Sequence, residues 1–326
     1  MTILRQISAI KKADLHRHVE GATSPRTLWT IYQKRCGGKK TLADFKKRLV
    51  LEKDPGKLDS FLKKLATPLL KKYIKEPSDL LFIFEKAVED AAGDNVTHLE
   101  LRFTLSNFLA LDVSPESLVR KISETIGVTA ERSKIKVGLI LSLKRDDDLD
   151  LSAKIADLAK KLYKSHVIVG LDLAGNEHFF PNEQFYILAR KVKKAQIPFI
   201  VHAGEVTDPR SVETAVKKLG ADRISHGVKA ADNPRVLELL AKRKILLEVC
   251  PTSNIQTGAY ESYDQVPIRK LLEYQVPILI CTDDPVTSDI TLSSEIANLI
   301  ERKIISFKEY RSMLSAAKAH YFLDDK

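Results

Sequence analysis

Histidine, glutamate and aspartate gather in four short segments of this 326-residue chain: Asp14-Leu15-His16-Arg17-His18, Val201-His202-Ala203-Gly204-Glu205, Ser225-His226-Gly227 and Cys281-Thr282-Asp283-Asp284-Pro285. Side chains alternate along an extended strand, so His16 and His18 point the same way and their imidazoles can converge on one metal ion. Each segment taken singly has a plain structural explanation. A histidine pair of this spacing is more often surface or core, and His202 alone could be a satisfied core histidine. Glu205 could be an acid at a helix start, and Asp283-Asp284-Pro285 a turn that opens a helix. Together they supply His16, His18, His202 and Asp283, a nitrogen-and-carboxylate set that suits one Zn²⁺ with water in the remaining position. Such an ion lowers the pKa of its water toward neutrality and so provides a hydroxide nucleophile. Glu205 lies beyond its ligand as a proton donor, and His226 neighbours the metal water. These residues predict a metal-dependent hydrolase. The same ligands accept Fe²⁺, Co²⁺ or Mn²⁺, since affinity order does not select among them.

These segments must be held by a common scaffold. Short apolar runs rich in β-branched residues alternate with longer stretches of helical period, the pattern of βα units around a parallel sheet. The runs predict strands at Ala13–His16, Thr97–Phe103, Lys136–Leu143, Val167–Leu173, Pro198–His202, Arg223–His226, Ile245–Val249 and Pro277–Thr282. Helices are predicted at Glu183–Ala195, Val212–Leu219, Pro234–Lys242 and Ile268–Tyr274. Eight parallel strands close into a (β/α)₈ TIM barrel, and the four polar segments fall at strand C-termini, where barrels keep their active sites. Length alone would suggest two domains, but barrels of this size are commonly one, so residues 1–326 are expected to form a single domain.

One segment breaks the alternation. About eighty residues, Val19 to Asn95, separate the first two predicted strands, far more than one crossover helix needs. Within them Leu58, Phe61, Leu62, Leu65, Leu69 and Leu70 recur at helical spacing. This helical insertion, about residues 20–95, is expected to sit at the C-terminal mouth as a lid, with Phe61 and Leu62 among the residues facing substrate.

Composition narrows the remaining classes. With 44% hydrophobic and 29% charged residues the chain can bury a large core under a polar surface. There is no apolar run of about 18 residues to span a membrane and no signal-peptide pattern from Met1 to Lys12. Three cysteines, Cys36, Cys250 and Cys281, are odd in number and far apart, which excludes a disulfide framework or a CxxC zinc site and suits a reducing cytoplasm. The net charge of +10 raises the question of nucleic acid. Its lysines come as pairs such as Lys63-Lys64 and Lys160-Lys161 within amphipathic stretches, without an aromatic-and-basic motif, so solvated helix faces and no nucleic-acid partner are expected. Oligomeric state is not legible. The HxE and PCxxC zinc signature of cytidine-deaminase-type enzymes is absent.

The four segments fall within six ordered motifs, from about Lys12 to Glu295, that resemble the adenosine deaminase family: DLHRHVEGA (14–22), GLDLAGNE (170–177), VHAGE (201–205), RISHG (223–227), EVCPTSNIQTGA (248–259) and CTDDP (281–285). The resemblance implies a role at each matching position. His16, His18, His202 and Asp283 would bind zinc. Glu205 would protonate purine N1, so that C6 accepts hydroxide. His226 would orient that hydroxide and stabilise the tetrahedral intermediate. Asp284 would hydrogen-bond N7, and the backbone N–H of Gly175 would donate to N3. Glu20 stands where many adenosine-specific members carry Asp, the position that reaches the ribose 5′-hydroxyl. Asn176 replaces the more usual Asp, and Val286-Thr287-Ser288 lacks an aromatic residue common there. None of these departures touches the chemistry, but all bear on the substituent at N9.

The resemblance therefore implies zinc-dependent hydrolysis of the purine 6-amino group, with adenosine and 2′-deoxyadenosine first among small-molecule substrates. Free adenine, or an adenosine modified at its 5′ position such as aminofutalosine, is the alternative. Two other classes are disfavoured. A catalytically silent binding barrel would be expected to have lost a ligand or the acid, and none is missing. Metal hydrolases of amides or phosphoesters commonly use a bridging lysine and two metals, and Leu171-Asp172-Leu173 offers no lysine.

Overall fold

The apolar runs become eight parallel strands: β1 (Lys12–His18), β2 (Val96–Phe103), β3 (Lys136–Lys144), β4 (Gly170–Ala174), β5 (Phe199–Ala203), β6 (Arg223–His226), β7 (Leu246–Val249) and β8 (Ile278–Ile280). They neighbour one another in sequence order, each pair parallel. The computed structural model describes residues 2–51, 58, 62–63 and 67–323. Closure between the first and last strands runs through the functional segments themselves. Asp283 N–H donates to His16 O (2.8 Å), and His18 N–H donates to Asp283 O (2.9 Å). The result is the expected (β/α)₈ barrel.

Helices pack outside the strands for ordinary reasons. Pro234–Arg243 begins with proline in its first turn behind an Asn233 cap and buries Val236, Leu237 and Leu240, while its basic end faces the helix C-terminus. Leu292–Glu301 and Phe307–Ala317 open with capping boxes at Thr291 and Ser306. The predicted helix Glu183–Ala195 is split: a 3₁₀ turn, Asn182–Phe185, precedes Tyr186–Lys194. The predicted Val212–Leu219 starts earlier, at Pro209 behind the Asp208 cap, and finishes as a π turn over Ala215–Leu219.

The segment between β1 and β2 is helical, with Pro25–Cys36, Leu42–Leu49, Thr67–Tyr73 and Pro77–Gly93. Arg35 ties its parts together, donating to Glu76 Oε1 (2.7 Å) and to Asp79 Oδ1 (2.8 Å). Leu58 and Leu70 are buried, as the periodicity predicted. Phe61 and Leu65 lie outside the described residues. Among the described residues no helix is long and apolar enough to cross a membrane.

Candidate active site

Strand-end segments converge on one cavity of about 460 Å³ at the C-terminal mouth. His18, Glu20, His202, Glu205, His226, Asp283 and Asp284 line its floor, and Gly175 its wall. Leu58, Leu62, Lys63, Thr67, Pro68 and Lys71 supply another wall, so part of the insertion borders the cavity. Of the predicted substrate contacts, Glu20, His18, Gly175, Asp284 and Leu62 therefore meet in one space, and Phe61 is the one outside the described residues.

Each polar side chain is aimed by the strand end that carries it. His16 and His18, two residues apart on β1, bring their rings to a centroid distance of 5.3 Å. His18 Nε2 lies 3.3 Å from His202 Nε2 on β5. Asp283 follows β8 and places Oδ1 at 3.2 Å from His16 Nε2 and 3.6 Å from His18 Nε2. His226 ends β6, with Nε2 3.7 Å from Glu205 Oε2 and 3.8 Å from Asp283 Oδ2. The backbones of His226 and Asp283 adopt φ of +61° and +63°. Left-handed geometry at a non-glycine residue stores on the order of 1–2 kcal/mol. Here it turns both side chains inward at the strand ends.

These donors fit a bound cation. His16, His202, His226 and Asp283 each bring one ligand atom within 4.8 Å of the others, and His18 and Asp172 form a second such group around His202. His16 Nε2 is buried without a hydrogen-bond partner among the described residues. On the far side of the ring, His202 Nδ1 lies 3.0 Å from Asp172 Oδ1, and His16 Nδ1 lies 3.4 Å from Glu248 Oε2 and 3.6 Å from Cys250 Sγ. An ionised carboxylate can only accept, so Asp172 favours the His202 tautomer with the proton on Nδ1 and the Nε2 lone pair toward the cluster. Burial holds His16 well below the usual imidazole range, His18 down at about 4 and His226 at about 3.

The carboxyls divide by environment. Burial, reinforced by Asp283 and Glu177, pushes Glu205 well above the usual carboxylate range. Asp284 is likewise pushed well up by burial and by Asp283, Glu20 and Glu205. Burial also raises Glu20, whose Oε1 accepts the Thr104 N–H at 3.1 Å. Asp283 goes the other way. Burial opposes its charge, but the surrounding histidines, His16 foremost, hold it well below the usual value. Ser253 Oγ also donates to Asp283 Oδ2 (2.7 Å), and Asn254 Nδ2 lies 3.1 Å from His226 Nδ1. The site thus sets Asp283, held toward its charged form, beside two carboxyls, Glu205 and Asp284, that burial pushes toward their protonated form.

Several residues at this site were not singled out from the sequence. Asp172, Glu248 and Arg102 lie mid-strand, and Glu177 holds the loop that carries Glu205. The available signal was charge inside apolar strands, in LELRF (99–103), GLDLA (170–174) and LLEV (246–249). A charge that is buried needs a partner, and only the topology shows which one.

A parallel eight-stranded barrel with a histidine–aspartate cluster and a buried glutamate at its C-terminal mouth defines an amidohydrolase-type enzyme. The adenosine deaminase family model matches residues 11–326. The chain belongs to the adenosine deaminase family and is a hydrolase that deaminates purines. An adenosine deaminase of Enterococcus faecalis is 30% identical over 319 residues, covering 98% of this chain and 94% of its own. Among solved structures, adenine deaminase from Arthrobacter aurescens has the same fold, with a TM-score of 0.86 at 22% identity over 96% of this chain and 94% of that one. An Arabidopsis N6-mAMP deaminase gives a TM-score of 0.83 at 25% identity, covering 98% and 96%.

Proposed function

We propose that this enzyme hydrolyses the 6-amino group of adenosine and 2′-deoxyadenosine, releasing ammonia and leaving inosine or 2′-deoxyinosine. One zinc ion per chain would be held by His16, His18, His202 and Asp283. It supplies the Lewis acidity that makes water nucleophilic near neutral pH. The observation that carries the reading is the pair of carboxyls, Glu205 and Asp284, both pushed well up by burial, flanking that cluster in one cavity.

A purine presented to the cluster would meet each group in turn. Glu205 gives its proton to N1, which draws electron density from C6 and opens it to attack. His226, beside Glu205, orients the attacking water and stabilises the charge that develops at C6. Asp284 donates to N7, and the Gly175 N–H to N3. Glu20, at the edge of the same cavity, accepts the ribose 5′-hydroxyl through Oε2, which is buried without a hydrogen-bond partner among the described residues. The insertion supplies the cover, with Leu58 and Leu62 excluding water from the acid.

A second reading has its own observation. Lys63, Lys71 and Lys144 also line the cavity, which suits an adenosine carrying an anionic 5′ group. Steady-state rates on adenosine, 2′-deoxyadenosine, adenine, AMP and a 5′-modified adenosine separate these cases. Adenosine is expected to exceed adenine in kcat/KM, and Glu20→Ala is expected to narrow that gap. Turnover confined to adenine or to a 5′-modified compound would keep the chemistry and overturn the substrate.

A further inference from the structure

Beneath the cavity floor, inside the barrel, a set of charged side chains is shut away from solvent. Arg102 on β2, Asp172 on β4 and Glu248 on β7 are each 0% exposed. Arg102 Nη1 donates to Ser225 Oγ at 2.6 Å and lies 3.5 Å from Asp172 Oδ1. Its Nη2 pairs with Glu248 Oε2 and reaches Leu15 O at 3.3 Å. Ser225 Oγ donates onward to Glu248 Oε2 at 3.0 Å. One planar guanidinium therefore spans the two carboxylates that face His202 Nδ1 and His16 Nδ1.

We infer that Arg102 is a positioning residue of the metal site: it holds Asp172 and Glu248 where they fix the tautomer and ring direction of His202 and His16. A carboxylate released from the guanidinium is free to rotate away, and its imidazole would lose the acceptor that orients it. The two arms are unequal. Glu248 has a second cation, Arg223 Nε at 3.0 Å, whereas Asp172 is otherwise supported by Ser142 Oγ at 3.1 Å. Loss of Arg102 should therefore disturb His202 more than His16. Lysine cannot replace it, because a single ammonium cannot reach two carboxylates and a serine hydroxyl in the fork geometry of a guanidinium.

The inference rests on the zinc-site reading above, and the test separates the two. Zinc transfer from the loaded protein to a chromophoric chelator would be measured for the wild type, Arg102→Lys, Arg102→Met and Asp172→Asn. The thermal midpoint of each stripped protein would be recorded beside it, with ¹H–¹⁵N long-range imidazole NMR spectra. Arg102→Lys and Asp172→Asn should fold and lose about 10–100-fold in zinc affinity, the usual consequence of removing a ligand's orienting partner. The His202 ring signals should report a changed tautomer mixture. Arg102→Met carries the test if Arg102→Lys fails to fold, and Asp172→Asn sets the loss expected when His202 is deprived of its acceptor. Wild-type zinc affinity in the folded variants, or loss only in step with unfolding and with unchanged imidazole spectra, would overturn the role of Arg102. A wild type that takes up no zinc would overturn the site reading itself.

Discussion

Glu177 Oε1 accepts the backbone N–H of Glu205 at 2.8 Å, so the acid of the site is held in place by a second glutamate from another strand end. The same carboxylate collects the amides of Gly204 (2.8 Å), Val206 (3.0 Å) and Thr207 (3.2 Å) and the Ser211 hydroxyl (2.7 Å). The loop after β5 is wrapped around one anion.

Replacing that anion should loosen the loop without touching the ligands. Glu177→Gln loses the charge and turns an amide NH₂ toward backbone donors, at a cost of about 1–3 kcal/mol for the hydrogen bonds impaired. The expected outcome is a fall in kcat of tenfold or more with zinc content unchanged. Elemental analysis beside steady-state rates checks it, and loss of zinc in parallel would show that Glu177 supports the ligand cluster instead.

Glu205→Gln removes the proton that N1 needs and should cost ~10²–10⁴ in turnover, the range for a general acid, while zinc stays bound. Near-normal rates would remove Glu205 from that role.

The same variant has a stability signature. Burial raises the native pKa of Glu205 above its ordinary value of 4.5, so below pH 4.5 both native and unfolded states are protonated. As pH rises from there, the unfolded state releases its proton first. Wild-type stability then falls by ~1.4 kcal/mol per pH unit until the native pKa is passed. Gln does not titrate. Stripped Glu205→Gln should melt above the stripped wild type at pH 7 and level with it at pH 4.

Gly21 lies against Asp284 so closely that an added Cβ would fall 1.8 Å from Asp284 Oδ1. Gly21→Ala must push that carboxyl out of the cavity, with an overpacking cost of about 1–3 kcal/mol. Turnover should drop toward that of Asp284→Ala, with zinc retained and a modestly lower melting point. Wild-type kcat/KM in Gly21→Ala would show that Asp284 does not contact the substrate.

Much of this was legible in the residues, and the rest depended on topology. Strands emerged because parallel strands buried on both faces read as continuous apolar runs. The apolar run predicts β4 from Val167, three residues before the strand begins at Gly170. Val167 N–H bonds Leu162 O at the end of the preceding helix, and the apolar stretch there packs a helix-to-strand corner. His16, His18, His202, Glu205, His226, Asp283 and Asp284 were visible because they punctuate strand ends. Arg102, Asp172, Glu248 and Glu177 were not, since their partners lie 23 to 232 residues away and no local pattern names them. The positive φ of His226 and Asp283 leaves no mark on composition either.

Asp283, the carboxylate of the proposed zinc set, also closes the barrel, since its backbone bonds both His16 and His18. Asp283→Ala keeps those backbone bonds and loses only the carboxylate. It should fold, fail to retain zinc by elemental analysis and show no measurable turnover. Full zinc retention would remove Asp283 from the ligand set.

Metal-dependent deamination of adenosine is tested most directly by following the ultraviolet shift from a 6-aminopurine to a 6-oxopurine, with ammonia release. The assay is run on chelator-stripped protein before and after one equivalent of zinc. Negligible turnover of adenosine when stripped, and recovery that saturates at one zinc per chain, is the predicted result. Undiminished turnover in the stripped protein, or none in the reconstituted one, would contradict it.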